Sequence, residues 1–148
     1  MSRQMLSLDD AGLRELKRRL ERLGDEAARG LGERALMEGA EPIEQEARAR
    51  APVGATGIGQ ASIERALVED ARVPTVAVGP SVSLTASQRE GFHLRFIELG
   101  TVDRFTRARA FRGRVQRQPF LRPAFDGRRG EALRRVRRVL RDGLEREG

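Results

Sequence analysis

Cysteine, tryptophan and tyrosine are absent from this 148-residue chain, and lysine and histidine occur once each, as Lys17 and His93. Each shortage excludes something. Without cysteine there are no disulfides and no thiolate metal sites, which is consistent with a reducing compartment. A single histidine rules out histidine-pair metal motifs and weakens any Ser–His–Asp proposal. His93 lies between Phe92 and Leu94 and reads as a packed or surface side chain. No apolar run approaches the roughly 18 residues that cross a bilayer. The first ten residues, MSRQMLSLDD, carry no apolar block of the signal-peptide kind. The expectation is a soluble protein made in the cytoplasm, with no membrane contact.

What the chain has in quantity is arginine. It carries a formal charge of +7, very unevenly placed. From Thr101 onward fifteen arginines face six acids, a net +9, which leaves −2 on the first hundred residues. Such asymmetry invites a polyanion as partner. A GC-rich genome would also produce arginine at lysine's expense, so part of the excess is simply the surface cation.

Taken in order, Asp9 or Asp10 is the N-cap of a helix with Leu13, Leu16, Leu20 and Leu23 on one stripe and Gly24 as its stop. A second helix is expected from Asp25 to Ala51. Leu31, Ala35 or Leu36, Ala40, Ile43 and Ala47 give it a narrow face of mostly small residues, which implies close packing. Pro42 should kink it or divide it in two. The glycines of Val53 to Gly59 do not form a phosphate-binding loop, because no lysine follows in frame and no strand precedes. Val73 to Gly79 is a strand bounded by Pro74 and Pro80, and Ala61 to Asp70 is its antiparallel partner. Ser81 to Glu90 is a polar loop. The last helix has Pro123 as its first residue, Phe125, Leu133, Val136, Leu140 and Leu144 on one face, and Arg134, Arg135, Arg137, Arg138 and Arg141 on the other.

All six phenylalanines fall between Gly91 and Asp126. Phe92, Phe96 and Leu99, with Ile97 nearby, form a short apolar helix face that ends at Gly100. Glu98 has no second acid beside it to complete a catalytic carboxylate pair. It reads as a structural glutamate accepting backbone or arginine hydrogen bonds. Between this segment and Gln118–Asp126 lies an extended basic loop, 102–117. Its six arginines (Arg104, Arg107, Arg109, Arg112, Arg114 and Arg117) outweigh Asp103 for a net +5. Phe105 and Phe111 are interleaved with them, the composition of a backbone-tracking segment with stacking rings. It matches no zinc finger, ribonucleoprotein signature or helix-turn-helix. A free basic DNA-binding protein is one reading of it.

The order of AEPIEQEARARAP (Ala40 to Pro52), ATGIGQASI (Ala55 to Ile63), RFIELGT (Arg95 to Thr101) and QPFLRPAFD (Gln118 to Asp126) resembles the siphophage tail-completion, or head–tail joining, proteins of the minor tail protein Z-like kind. The resemblance runs from about Asp25 onward. It implies a virion structural protein of the neck or upper tail, not an enzyme, with no cofactor and no metal. It further implies a homo-oligomeric ring, commonly six-fold, set against head-completion or connector proteins and tail-tube or tail-terminator proteins. A terminator ring that caps the tail tube is the related alternative. Phe96, Glu98, Gly100, Thr101, Pro119, Phe120 and Pro123 are the family motif, with roles in fold and subunit packing. The basic loop departs from the family, where this connection is short; it is expected to dock on a neighbouring protein or to face DNA in the channel. The fold expected is a single α+β domain. In it a small antiparallel sheet packs against a long N-terminal helix, kinked near Pro42, and a C-terminal helix, with residues 1–8 as an arm.

Overall fold

A computed structural model describes residues 10–53, 57–80 and 88–146. The arm at 1–8, Asp9 as a cap, residues 54–56 and residues 81–87 of the expected Ser81–Glu90 loop lie outside the described residues, as does the side chain of Phe92. Residues 88–90 of that loop are the first turn of a helix. The elements run α1 (Asp10–Leu23), α2 (Asp25–Arg50), α3 (Ile58–Ala61), β1 (Ile63–Leu67), β2 (Val76–Pro80), α4 (Gln88–Leu99) and α5 (Leu121–Arg146). This is the expected α+β architecture, with a two-stranded antiparallel sheet between two long helices.

α2 and α5, 26 residues each, form the frame. They lie antiparallel, since Glu46 meets Arg128, Glu41 meets Arg135, and Leu31 faces Gly143. The facing surfaces are small: Ala35, Ala40 and Ala47 on α2 are buried against Ala124 and Ala132 on α5. A methyl group added at Gly39 would overlap Val136 and sit 3.0 Å from the Ala132 carbonyl oxygen. Close backbone approach explains why α2 tolerates helix-weakening glycine at this position.

Ion pairs rivet the edges of this contact. Arg135 bonds Glu41 at 2.5 Å and Glu131 at 3.1 Å. Glu46 accepts from Arg50 and Arg128, and those two hydrogen bonds hold its carboxyl below the usual glutamate range. Arg135, expected on the solvated basic face, is therefore an internal clamp.

Of the two outcomes expected at Pro42, one kinked helix or two short ones, α2 is one helix and is not divided. Pro42 is buried in it, so tertiary packing offsets the one hydrogen bond that proline cannot donate. The β2 strand starts at Val76, because Val73 and Pro74 belong to the turn that Val68 N–H closes onto the Thr75 carbonyl. The pairing runs Ile63 with Pro80 through Leu67 with Val76. On α5, the buried residues are Ala124, Ala132 and Leu144, while Phe125 and Leu133 are 49% and 37% exposed. At Gly39 α5 presents Ala132 and Val136 to α2, and the larger Phe125 and Leu133 lie outside that contact.

The core proper sits at one end of the α2–α5 pair. Ala47, Ala51, Ile63, Leu94, Phe120 and Ala124 form it, with Val78, Ile97 and Leu121 packed on its rim. Among the residues of α4 whose exposure is described, Leu94 is the buried one, and Leu99, placed on the apolar face by spacing, is 64% exposed. Beside the core, Glu44 is buried with Arg48 at 2.7 Å and Arg65 at 2.5 Å, and Arg48 donates to the Ile63 carbonyl. This ties α2 to β1.

Gly39→Ala should destabilise the protein by about 1–3 kcal/mol, the usual cost of overpacking a close contact. Gly30→Ala, where the added methyl meets nothing within 4 Å, should leave stability equal or raise it by up to about 1 kcal/mol. Urea denaturation of the two variants checks both signs.

Candidate functional site: a glutamate latch and a basic hairpin

The two motif segments meet at the start of α5. A helix begins with backbone N–H groups that have no intrahelical partner. At this one, Glu98 Oε2 accepts from Phe120 N–H at 2.6 Å and Leu121 N–H at 3.0 Å, and Oε1 accepts from Arg122 N–H at 3.2 Å. The next residue, Pro123, has no N–H to satisfy, and Ala124 N–H makes the first regular bond, to the Phe120 carbonyl. One carboxylate and one proline thus account for every orphan donor at this end. The negative charge also faces the positive pole of the helix dipole. Gln118 N–H donates to the Ile97 carbonyl at 2.8 Å, which fastens the incoming chain to α4. The structural role expected for Glu98 is what the geometry displays. Pro123, expected as the first residue of the helix, is the third.

The other motif residues complete the joint. Phe120 is 1% exposed and fills the core. Gly100 ends α4 with φ +71° and donates to the Phe96 carbonyl. A Cβ there would also lie 3.0 Å from Arg117 Cβ and 3.3 Å from Arg117 N, so glycine is required for conformation and for space. Thr101 clamps the return of the chain: its N–H donates to the Val115 carbonyl, and its Oγ1 accepts from Val115 N–H at 2.9 Å. Phe96 is half-buried, Pro119 is exposed and Pro123 is half-buried.

The basic span beyond that clamp folds back on itself as an irregular hairpin. Arg104 N–H bonds the Gly113 carbonyl and Arg112 N–H bonds the Arg104 carbonyl. Phe105 and Phe111 form a bridge, their rings edge to face with centroids 5.6 Å apart. At the tip, Thr106 N–H bonds the Ala110 carbonyl and Arg109 N–H bonds the Thr106 carbonyl, with Arg109 at φ +59°. This is a three-residue hairpin turn whose left-handed position, normally a glycine site, holds an arginine. The missing glycine is why the turn was invisible in the sequence.

Arg104, Arg107, Arg109, Arg112, Arg114 and Arg117 are all exposed, and none of them makes an ion pair among the described residues. Phe105 and Phe111 are 60% and 61% exposed, so they pin the hairpin's two legs together and leave the core to Phe120. The hairpin carries its charge on a self-bonded backbone. His93 is exposed on α4. Among the described residues no cluster of His, Asp and Glu could hold a metal ion, and no helix is long and apolar enough to cross a membrane.

A second surface was not foreseen. Leu36, Ile43, Val76, Val78, Phe125 and Leu133 line an open apolar groove of about 810 Å³ between α2, α5 and β2. On α1, Leu13 is exposed and Leu16, Leu20 and Leu23 are half-buried. The leucine stripe was legible; that its own chain covers it only in part was not.

Replacing Glu98 by alanine should cost about 3–4 kcal/mol, since charged hydrogen bonds to partly buried amides are lost together. Glu98→Gln, which keeps the shape but loses one acceptor and the charge, should cost about half of that. Chemical denaturation gives both values, and equal effects for the two variants would contradict the latch.

Residues 14–100 match the family model described as "Bacteriophage HK97-gp10, putative tail-component". Neither the curated proteins nor the solved structures give a match. The family match stops at Gly100, so the hairpin and α5 lie beyond it and are joined to it by Glu98. Because the matched residues make up more than half of its length, the chain belongs to the HK97-gp10-like family of bacteriophage tail components.

Proposed function

We propose that this tail component is a structural protein of the neck or upper tail that joins head to tail, and that it works by assembling into a ring. The observation that supports assembly is a pair of apolar surfaces that the chain covers only in part. One is the groove containing Phe125 and Leu133; the other is the leucine stripe of α1. They are different surfaces on one chain. A contact of one with the other is heterologous, and heterologous contacts close into rings when the rotation between subunits closes. Apolar grooves on structural proteins are ordinary partner sites.

The chemistry of the chain fits a scaffold. Glu98, the acid best placed by sequence, is consumed by backbone amides. Nothing in the motif residues calls for a cofactor. Head-completion and tail-tube proteins are the neighbours this placement requires.

Particles lacking the protein should accumulate as full heads separated from tails of normal length in electron micrographs. Overlong tails would reassign the protein to capping of the tail tube, and particles of normal appearance would end the structural reading. In the purified protein, Phe125→Glu or Leu16→Glu should abolish rings. The native circular dichroism spectrum should be retained, since neither side chain is buried.

A further inference from the structure

We infer that the hairpin 101–117 is a contact element for the phosphate backbone of double-stranded DNA, without sequence preference. This names a partner for the chain and deepens the reading above. It is tested on the isolated protein, so its failure and the failure of ring assembly are separable.

The first ground is where the charges are left unneutralised. Elsewhere the arginines that pair do so between or along elements: Arg29 with Glu33, Arg48 and Arg65 with Glu44, Arg128 with Glu46, Arg135 with Glu41. Those left without an ion pair among the described residues are spread along the helices, as Arg134, Arg137, Arg138 and Arg141 are, and only the hairpin gathers six of them in one short span. Acids also stand without an ion pair among the described residues, Glu64, Glu69 and Asp70 of the β-hairpin included. The basic hairpin uses none of them. Six guanidinium groups within fourteen residues (104–117), with only Asp103 beside them, repel one another and invite an external polyanion.

The second ground is the scaffold. Backbone bonds from Thr101 to Val115, Arg104 to Gly113 and Thr106 to Ala110, with the Phe105–Phe111 ring contact, hold the two legs in register. Charges held on an ordered hairpin lose less entropy on binding than charges on a free loop. Strand alternation places Arg104 and Arg112, each next to a bridged phenylalanine, on the face opposite the rings. The third ground is Arg109. A non-glycine residue in the left-handed region is uncommon and costs backbone energy, and here it sets a cation at the hairpin tip.

The duplex is favoured over a single strand because the phenylalanine rings are engaged with each other and pin the legs. The arginines are left as the contact groups, and a duplex offers phosphates but no free base faces. Guanidinium recognises phosphate oxygens in bidentate fashion.

The test is fluorescence anisotropy of the full-length protein with two 30-base-pair duplexes of unrelated sequence, titrated with salt. The two duplexes should bind equally. Affinity should fall about 10³-fold between roughly 50 and 200 mM salt if all six arginines engage phosphates. Serine at Arg104, Arg107, Arg109, Arg112, Arg114 and Arg117 should remove most of the affinity. Serine at Arg134, Arg137, Arg138 and Arg141 on α5 should remove far less per charge; an equal loss per charge would overturn the proposal in favour of general attraction by a basic protein. Arg109→Gly relieves the left-handed strain, so the hairpin keeps its fold, and it should lower the slope of log affinity against log salt by about 0.9; an unchanged slope counts against the tip contact. Tighter binding to a single strand, lost on Phe105→Leu with Phe111→Leu, would overturn the duplex as partner. Polyglutamate that competes as well as duplex at equal charge would do the same, and would reassign the hairpin to an acidic protein surface.

Discussion

The carboxylate of Glu98 is the point on which the C-terminal half of the molecule depends. α4 and α5 are separated in sequence by the whole basic hairpin, and the Phe120 side chain at the start of α5 must enter the core. Buried amides at a helix start are costly unless something accepts from them. Glu98 accepts from Phe120, Leu121 and Arg122, and Pro123 removes the fourth donor. The two sequence motifs are therefore two halves of one joint. Gly100 and Thr101 belong to the same joint, because they end α4 and clamp the hairpin's return at Arg117 and Val115. With its base held at these points, the hairpin can vary in length and charge without disturbing the core.

A second constraint follows from the small residues of α2. Gly39 and its alanine neighbours draw α5 close, and closeness dictates which α5 residues face inward. Ala124 and Ala132 do; Phe125 and Leu133 do not. Arg135 completes the contact by reaching Glu41, so one residue of a basic helix face becomes structural. The same geometry that makes the helix pair tight opens the apolar groove beside it. Among the described residues the largest fully buried side chains are Phe120 and Ile63, which makes a modest core. The chain leaves its remaining apolar surface, the groove and the α1 stripe, for contacts between molecules. That division suits a protein that works inside an assembly.

The arginine excess divides in a similar way. Some arginines are internal fasteners between elements, as Arg48, Arg65, Arg128 and Arg135 are. Those of the hairpin make no ion pair among the described residues. Composition treats the two groups alike, and the structure separates them by their partners.

Much of the fold was legible in the residues. The leucine spacing of α1, the small-residue face of α2, the β-hairpin between Ile63 and Pro80, and the two motifs around Glu98 and Phe120 all follow from local pattern. Local pattern suffices there because helical and strand periodicity report which face is apolar. It failed where the partner's shape decides the outcome. Spacing alone put Leu99 and Phe125 on the apolar faces of their helices, but α4 buries Leu94, and α5 buries Ala124 and Ala132 while Phe125 stays half exposed. Pro42 left a kinked helix or two short ones open, and the helix is one. The hairpin turn at Arg109 gave no glycine signal, because an arginine occupies the left-handed position. By itself the sequence determined the long helices, the two paired strands, their order and the charge of the span 102–117, though not the short α3 (Ile58–Ala61). Only the tertiary structure decided that Glu98 joins the two motifs, that the basic span is a folded hairpin, and that an apolar groove stays open. The physical reason is that each of these depends on backbone groups or surfaces far apart in the chain, whose meeting leaves no local periodicity to read.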